Sequence, residues 1–589
     1  MFEGWVQIAI YVIVLIALTP PLGAYMARVY TPGETVLLER VFGRSERFLY
    51  RVLRVDPNDG QDWKRYGRSL LVFSAVGWLV MYAILRTQTL HPFSTYPGVQ
   101  FHSGTWDVTF NTVSSFVSNT NWQYYGGETT LTYFSQMMGM TVQNFVSAAA
   151  GIVVLIALIR GIMARSGKSI GNFWQDMVRT LLYVLLPLSV VGGLLLVSQG
   201  VIQNFSHYTV AHTLVGGTQT IAQGPVASQV VIKQLGTNGG GFFNTNSAFP
   251  FENANRFSNF IEMLFIVLIP AALTYTYGKM VGNRRQGWAI FAAMFALWFG
   301  GVAVAYVAEQ HGTPAQHLAG VNTHAIAGST GGNMEGKELR NGIVNSALWA
   351  TTTSDTSNGS VNAAMESFTG IGSAVPMGNL AMSDVVWGGV GCGLYGMLVY
   401  VLLAVFIGGL MVGRTPEFLG KKIEAKEIKL VSLAALLTPL TILVTAGVAT
   451  ASPLGRASIS SNAPGPQGFS ETLYAYMSQA NNNGSAFAGY TGYIQPNAGN
   501  LGAHGVKLAD LMGGLTMLFA RFIPLLLVLA IAGALAGKRV APAGPGTMRT
   551  DNATFVILLI GVVILVGALT FFPALLLGPV VQGLGTHLF

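Results

Sequence analysis

Thr237-Asn238-Gly239-Gly240-Gly241-Phe242 is a polar, glycine-rich stretch that lies between long apolar segments of the chain. Three similar stretches accompany it, at Asn119-Thr120-Asn121, Ser357-Asn358-Gly359 and Asn482-Asn483-Gly484. Counted from Asn121 through Gly239 and Gly359 to Gly484, the spacings are 118, 120 and 125 residues. A nearly constant spacing indicates an internal repeat. This period is too long for a soluble solenoid unit, and it is long enough for two membrane helices with a loop between them.

The composition is that of a membrane protein. Of the 589 residues 10% are charged and 51% are hydrophobic, and the mean hydropathy is +0.50. A soluble globular chain carries about 25% charged residues, so the sequence predicts a polytopic membrane protein. The single cysteine, Cys392, excludes an internal disulfide, and its apolar surroundings indicate a packing residue.

Ten segments are long and apolar enough to span a bilayer, which takes about 20 residues. They lie near residues 4–27, 69–86, 138–160, 178–199, 258–279, 287–308, 383–413, 429–450, 508–537 and 553–580. Five loops on one side of these segments contain 24 of the 32 basic residues. Because Lys and Arg are enriched in cytoplasmic loops, both termini are predicted to face outward. This topology explains the net charge of +8 better than nucleic-acid binding does. The mixed basic and apolar segment 40–55 is typical of a surface helix on the membrane.

Each polar stretch follows a short semi-apolar segment in an outside loop. These segments are Thr105–Val117, Val226–Leu235, Asn341–Thr352 and Phe469–Ser478. The predicted fold is therefore all-α, with four helix–pore loop–helix repeats around a central filter and one extra helix at each end. The predicted units are 1–68 (first helix and basic cytoplasmic segment), 69–177, 178–286, 287–428 and 429–550 (repeats 1 to 4), and 551–589 (last helix).

The chemistry of the four stretches favours an ion filter. Non-helical backbone persists at membrane depth only where it is buried in protein or lines a wet pathway. Rings of carbonyl oxygens replace the hydration shell of an ion and discriminate K⁺ from Na⁺. Glycine is expected to allow the positive φ that turns consecutive carbonyls to one axis. The stretches contain no Asp or Glu, and the nearest carboxylate, Asp355, is expected to neutralise the mouth. One Asn-Gly pair alone is more often a plain turn, but four copies in phase with the topology favour a filter.

Two further features have alternative interpretations. The glycines from Gly388 to Gly396 suit either close helix packing or a broken helix below the third filter stretch. Arg521 lies near the middle of a predicted span, where a charge usually faces a cavity or a partner. It is either a paired structural arginine or a charge that lines the ion path, and the second interpretation is preferred.

The chain lacks the motif of a nucleotide site. Gly167-Lys168-Ser169 resembles the end of a phosphate-binding loop, but the required first glycine is replaced by Ile162. The cytoplasmic loops are also too short for a soluble nucleotide-binding domain. The chain by itself is therefore not expected to hydrolyse ATP.

Four longer motifs are specific enough to indicate a family. They are Asn119–Gln123 (NTNWQ), Gly236–Asn244 (GTNGGGFFN), Gly413–Lys422 (GRTPEFLGKK) and Asn481–Gly489 (NNNGSAFAG). With them the chain resembles, essentially from end to end, the potassium-binding A subunit of the Kdp-type potassium-transporting ATPases of bacteria. The resemblance implies a location in the bacterial plasma (inner) membrane and K⁺ as the bound ion. It also implies three partners in a complex: a P-type ATPase B subunit that hydrolyses ATP, a single-helix C subunit and a small F subunit.

The resemblance also implies roles for individual residues. It places K⁺ in a filter of three residues from each repeat: Asn119, Thr120, Asn121, Thr237, Asn238, Gly239, Ser357, Asn358, Gly359, Asn482, Asn483 and Gly484. Gln123 and Gly240 would support this filter, and Arg521 would act in the ion path and in coupling. None of the stretches reads Thr-Val-Gly-Tyr-Gly, and Asn121 stands where the other three have glycine. Four-fold coordination is therefore expected to be imperfect.

Three functions remain open at this point. The chain is the ion-selecting subunit of an ATP-driven pump that passes K⁺ to a P-type subunit, or it is a self-sufficient K⁺ channel or ion-coupled symporter, or it is a membrane scaffold without transport. Dependence of K⁺ uptake on ATP separates the first from the second. Loss of K⁺ binding on substitution of Gly239 separates both from the third.

Overall fold

The computed structural model describes residues 2–93, 95–96, 99–326, 331–411, 413–456, 465–490, 502–542 and 547–585. Met1 and residues 586–589, which belong to the first and last predicted units, lie outside these ranges. Ten helices in the described ranges are long and apolar enough to cross a membrane. The chain is thus a multi-pass membrane protein, as its composition predicts.

Sixteen helices carry the fold. In chain order they are α1 Phe2–Tyr30, α2 Glu39–Leu53, α3 Trp63–Arg86, α4 Trp106–Val117, α5 Ser135–Met163, α6 Phe173–Ser198, α7 Val226–Leu235, α8 Arg256–Met280, α9 Arg284–His311, α10 Gly342–Asp355, α11 Gly370–Ala381, α12 Cys392–Met411, α13 Ala425–Ala451, α14 Pro466–Ala480, α15 Gly502–Ala536 and α16 Ala553–Leu575. Single helical turns lie at Gln88–Leu90, Gly127–Thr130, Asn246–Ala248, Pro314–Leu318, Met365–Ser367, Pro453–Arg456, Leu576–Val580 and Val581–Leu584.

The strands form three small antiparallel hairpins in the loops. They are β1 Thr95–Tyr96 with β2 Val99–Gln100, β3 Thr209–His212 with β4 Thr218–Ile221, and β5 Glu417–Phe418 with β6 Lys421–Lys422. In the longest hairpin Thr209 lies opposite Ile221 and His212 lies opposite Thr218. The hairpins lie in the loops, and the helices supply most of the core, to which Phe418 of β5 also contributes.

The four predicted half-helices are confirmed as α4, α7, α10 and α14. Each lies between two spans, so the chain contains four helix–pore helix–helix repeats. The spans that follow the pore helices are more buried than those that precede them. In repeats 1 and 2, 17% and 33% of the residues in the most apolar parts of α3 and α6 are buried. In α5 and α8 the corresponding shares are 83% and 89%. The second span of each repeat therefore faces the centre of the molecule.

One predicted span is wrong at its start. A helix was expected over 383–413, but α12 begins only at Cys392, and residues 382–391 are not helical. Ser383, Asp384 and Trp387 in this segment have positive φ angles of 62°, 59° and 55°, which non-glycine residues rarely adopt. Together α11, this segment and α12 make a broken second span in the third repeat. The broken-helix interpretation of the glycine-rich region therefore describes the backbone better than continuous helix packing does.

Helix α2 is amphipathic, as predicted for the basic segment after the first span. Glu46 and Tyr50 are buried, whereas Val41, Phe48 and Val52 are exposed. Glu46 accepts hydrogen bonds from Arg179 Nε at 2.9 Å and from Tyr183 Oη at 2.6 Å. One face of α2 is thus fastened to α6, and apolar side chains are left on the other.

Candidate ion-selectivity filter

Each pore helix is followed at once by one of the four polar stretches. In every repeat the middle residue of the stretch donates its main-chain N–H to a carbonyl five residues earlier, near the end of the pore helix. The donors and acceptors are Thr120 to Ser115, Asn238 to Lys233, Asn358 to Thr353 and Asn483 to Ser478. The carboxyl end of a helix carries partial negative charge and attracts cations. Four such ends therefore surround the stretches with a field that favours a positive ion.

The twelve predicted filter residues come together in the interior. The nine that have side chains are at most 6% exposed. A Cβ atom added to Gly239 would lie 2.5 Å from both Thr120 O and Asn483 O. One added to Gly359 would overlap Asn483 O, and one added to Gly484 would overlap Thr120 O. Main-chain atoms of all four repeats thus converge on one small region.

The backbone of the four stretches is alike at the first residue and differs at the third. Asn119, Thr237, Ser357 and Asn482 all have positive φ, at 76°, 48°, 49° and 54°. At the third position Asn121, Gly359 and Gly484 have positive φ, at 61°, 86° and 95°. In the second repeat the left-handed residue is Gly240 instead, at 65°. The positive φ expected of glycine is therefore found at Gly240, Gly359 and Gly484 but not at Gly239. Close approach of neighbouring carbonyls is what requires glycine at Gly239.

Side-chain hydrogen bonds join the four stretches into a closed ring. Asn119 Nδ2 donates to Thr237 O at 2.8 Å, which links repeat 1 to repeat 2. The other links are Asn358 Nδ2 to Lys233 O at 3.3 Å, Asn483 Nδ2 to Thr353 O at 2.7 Å and Asn482 Nδ2 to Thr120 Oγ1 at 3.0 Å. The amide side chains therefore link each repeat to its neighbours.

The main-chain carbonyl oxygen of the middle residue in each stretch accepts no hydrogen bond from the described part of the chain. In the described ranges no N–H or O–H donates to the carbonyl oxygens of Thr120, Asn238, Asn358 or Asn483. Buried carbonyls without a partner are uncommon in proteins, because each costs free energy comparable to a lost hydrogen bond. A dehydrated cation between them would satisfy these oxygens.

Gln123 and Gly240 lie beside the second stretch. Gln123 Oε1 accepts the main-chain N–H of Gly241 at 3.0 Å, and a Cβ on Gly240 would lie 2.5 Å from that same oxygen. Nearby, Glu128 Oε2 accepts the N–H of Asn244 at 3.0 Å. Burial raises the pKa of the Glu128 carboxyl above its usual value. These contacts join the loop that follows the first stretch to the segment that follows the second stretch.

The broken span of repeat 3 contacts the filter directly. The main-chain N–H of Val390 donates to Thr237 Oγ1 at 2.8 Å, and that of Gly388 donates to Asp355 O at 3.0 Å. Asp355 ends the pore helix α10, is 1% exposed, and neither of its carboxyl oxygens has a hydrogen-bond partner in the described chain. The expectation that Asp355 neutralises the mouth is wrong, because this residue lies at the deep end of its pore helix.

Arg521 borders a cavity that reaches the fourth stretch. The cavity has a volume of about 60 Å³, and its lining includes Asp384, Cys392, Asn482 and Arg521. Arg521 is 5% exposed, and it donates from Nη1 to Cys392 Sγ at 2.6 Å and from Nη2 to Ser147 O at 3.4 Å. The charge thus lies close to the fourth stretch in space, although 37 residues separate Arg521 from Gly484 in the sequence. Cys392 is its partner as well as a packing residue.

Two charged groups near the filter were missed in the sequence. Asp384 lies in the broken span, and it was missed because a continuous helix was predicted there. Lys233 lies in the pore helix α7 and forms an ion pair with Glu252, with 2.5 Å between Nζ and Oε2. A lysine in a half-helix that otherwise carries no charge was the available signal.

Ten spans, four re-entrant pore helices and four converging polar stretches define a four-repeat pore-loop membrane protein. A family model described as the potassium-transporting ATPase A subunit matches residues 9–584. The chain belongs to this family.

Curated relatives match along nearly the whole length. The potassium-transporting ATPase potassium-binding subunit of Rhodospirillum centenum is 54% identical over 582 residues, which cover 99% of this chain and 97% of that protein. The subunit of the same name from Sorangium cellulosum is 53% identical over 592 residues and 99% of both chains. Among solved structures, the potassium transporter TrkH from Vibrio parahaemolyticus aligns with a TM-score of 0.49 at 13% identity, over 88% of this chain and 97% of that one.

Proposed function

We propose that the chain is the ion-selecting and K⁺-translocating subunit of an ATP-driven potassium uptake complex. The observation that carries this proposal is the set of carbonyls of Thr120, Asn238, Asn358 and Asn483, which accept no hydrogen bond from the described residues. They lie in four buried stretches whose main chains approach one another closely. Carbonyl rings of this kind replace the hydration shell of K⁺. Relatives that are 54% and 53% identical are named potassium-binding subunits of a potassium-transporting ATPase.

K⁺ is proposed to bind at the twelve residues of the four stretches, with Gln123 and Gly240 as their support. The ion loses water at the outer end of the ring and gains main-chain oxygens, while the ends of four pore helices stabilise its charge. Asn121 replaces glycine in the first repeat, so the four strands do not present identical ligands.

The exit is proposed to run sideways rather than straight through. Residues 382–391 lie against Thr237 and Asp355 at the inner end of the filter, and Arg521 adds a buried positive charge beside the cavity there. A cation repels K⁺ most strongly in a low-dielectric site. The ion would pass from the cavity to the P-type ATPase B subunit, in a complex that also contains the single-helix C subunit and the small F subunit.

We place the chain in the bacterial inner membrane with both termini outside. The support is the concentration of 24 of the 32 basic residues in five loops on one side of the ten spans. A reporter enzyme that is active only outside the cytoplasm, fused to the carboxyl terminus, should therefore be active. The same reporter fused in the loop after α12 should be inactive, and the reverse pattern would contradict this orientation.

The units 1–68, 69–177, 178–286, 287–428, 429–550 and 551–589 are proposed as the building blocks. Each of the four middle units contains one pore helix and one polar stretch, which supports the division. Because neighbouring units share the hydrogen-bonded ring, a single unit expressed alone should not bind K⁺.

The deciding experiment measures ATP hydrolysis and K⁺ flux in the co-purified complex reconstituted in vesicles. ATP hydrolysis should depend on K⁺, and K⁺ uptake should depend on ATP. The isolated chain should hydrolyse no ATP. Rapid K⁺ flux through the isolated chain without ATP would instead support a channel or symporter, and a complex that ignores K⁺ would contradict the proposal outright.

A further inference from the structure

The four repeats differ at one position directly behind the filter. The carbonyl that accepts the N–H of the middle filter residue belongs to Ser115, Lys233, Thr353 and Ser478 in repeats 1 to 4. Three of these equivalent residues have a hydroxyl, and only the second repeat has a lysine. The difference lies in the layer that shapes the filter backbone.

The hydroxyls of the third and fourth repeats bond the filter strand itself. Thr353 Oγ1 accepts the N–H of Gly359, and Ser478 Oγ accepts the N–H of Gly484, each at 2.9 Å. Both of these glycines, the third residues of their stretches, have positive φ. A lysine cannot accept such a bond, because its ammonium carries only donors.

Lys233 instead reaches past the third residue to the fourth. Its Nζ donates to Gly240 O at 3.3 Å, to Asn246 Oδ1 at 3.1 Å and to Glu252 Oε2 at 2.5 Å. These three bonds use all the hydrogens of the ammonium. In this repeat the left-handed residue is also moved from the third to the fourth position, at Gly240. The lysine and the altered backbone thus occur together.

Glu252 completes a clamp on the outgoing strand. Its Oε1 accepts the main-chain N–H of Phe243 at 2.8 Å, and the side chains of Lys233 and Glu252 are 1% and 0% exposed. Gly240 and Phe243 are therefore both held by one buried ion pair, which lies outside the twelve filter residues. Removing one partner of a buried pair leaves an uncompensated charge and is strongly destabilising.

We propose that Lys233 is a positioning residue that holds the Gly240 carbonyl away from the ion ring and thereby sets cation affinity and selectivity. Selectivity in a carbonyl filter depends on the number and the field strength of the carbonyl dipoles around the ion. Without the bond from the ammonium, the Gly240 carbonyl would be free to turn toward the ring. The second stretch would then shift relative to the other three. The inference rests on the proposed function, because it concerns ion binding at the same ring.

The test uses Lys233→Met in the co-purified complex, with half-saturating K⁺ and Rb⁺ concentrations measured for ATP hydrolysis. Methionine keeps an unbranched chain and removes the charge. Loss of a charge-assisted bond should raise the half-saturating K⁺ concentration about tenfold or more and reduce the preference for K⁺ over Rb⁺, with the maximal rate nearly unchanged. Lys233→Arg, which keeps a donor cation, should recover part of the affinity.

Lys337→Met is the matched control for loss of a buried ion pair. Lys337 Nζ lies 2.7 Å from Glu309 Oε2, both side chains are 0% exposed, and the pair makes no hydrogen bond to any of the four stretches. The Lys337→Met variant should lower the melting temperature of the complex, as Lys233→Met does. It should leave the half-saturating K⁺ concentration unchanged. Equal effects of both variants on K⁺ affinity would overturn the proposal.

A double variant, Lys233→Met with Glu252→Gln, keeps the test decisive if the single variant does not assemble. Glu252→Gln removes the unpaired carboxylate that Lys233→Met alone would leave behind. A loss of K⁺ affinity that persists in the double variant is therefore caused by the missing bond from Lys233 to Gly240 O. Wild-type affinity and selectivity in either Lys233→Met variant would refute the role of Lys233. A wild-type complex without any K⁺ response would refute the proposed function instead, so the two failures are distinguishable.

Discussion

At the scale of single residues, the filter separates the work of side chains from that of the main chain. Asn238, Asn358 and Asn483 occupy the same middle position, and each donates its amide to a neighbouring repeat. Asn238 Nδ2, for example, donates to Asn119 Oδ1 at 2.7 Å. The amides therefore hold the backbone, and the backbone carbonyls remain available for the proposed K⁺. A substitution in either layer should change ion binding, but for different reasons.

Gly239→Ala tests the close approach of the strands. The new Cβ would lie 2.5 Å from Thr120 O and from Asn483 O, so at least one of these carbonyls has to move. Overpacking of this kind typically costs about 1–3 kcal/mol. K⁺ affinity should therefore fall about tenfold or more, and Gly239→Asp should admit Rb⁺, NH₄⁺ or Na⁺ or abolish binding. Ion competition in ATPase assays of the complex measures both effects.

Gly300→Ala serves as the control for this glycine. It lies in α9, and a Cβ there would meet nothing within 4 Å. Its K⁺ affinity should equal that of the wild type. An unchanged K⁺ preference in Gly239→Asp would remove Gly239 from the filter.

Arg521 belongs to the same scale because one charge decides its effect. The guanidinium is buried beside the cavity that reaches the fourth stretch, where it should oppose leakage of K⁺ to the cytoplasm. Arg521→Ala and Arg521→Glu should let ATP hydrolysis continue while K⁺ transported per ATP falls. Arg521→Lys should retain more coupling, because it keeps the charge and loses only the planar fork.

Flux and ATPase rate on the same vesicles give the coupling ratio for each Arg521 variant. A wild-type ratio in Arg521→Glu would mean that the charge is structural. The ratio is informative because loss of folding would lower both rates together and leave the ratio unchanged.

At the scale of elements, the ends of the spans are fastened by loops. The hairpin of β5 and β6 inserts Lys421, whose Nζ donates to Gly161 O at 2.9 Å near the end of α5 and to Leu535 O at 2.6 Å near the end of α15. The last carbonyls of a helix have no partner within the helix, and cations near the carboxyl end are favourable. One side chain thus caps the inner spans of repeats 1 and 4.

Lys421→Met should therefore destabilise the protein. Hydrogen bonds to charged groups contribute about 1.5–3 kcal/mol each, so a clear fall of the melting temperature of the complex is expected. Lys422→Met is the matched control, because Lys422 is the exposed neighbour in the same strand. If both variants melted together, the capping role of Lys421 would be wrong.

At the scale of the whole molecule, the filter exists only when all four repeats are assembled. Every link of the hydrogen-bonded ring joins residues of different repeats, such as Asn482 and Thr120, which are 362 positions apart. The proposed K⁺ at the centre would bind only to the folded ring. Ion binding and global stability should therefore be coupled.

K⁺ should raise the melting temperature of the complex in choline buffer. A ligand that binds only the folded state stabilises it by about 2.7 kcal/mol at a concentration of 100 times Kd. Na⁺ at the same ionic strength should have a much smaller effect, and Gly239→Asp should abolish the K⁺ effect. An equal shift with K⁺ and Na⁺ would show that general salt effects, not the filter, produce the stabilisation.

The sequence by itself determined the features that depend on neighbouring residues. Apolar segment length predicts ten spans, the semi-apolar segments predict the four pore helices, and the repeated polar stretches mark the filter. The tertiary structure decided what depends on residues that meet only after folding. The break at 382–391, the deep position of Asp355, the steric reason for Gly239 and the Lys233–Glu252 clamp all belong to this second group. Each is set by contacts between distant segments at the centre of the ring, and those contacts leave no periodic signal along the chain.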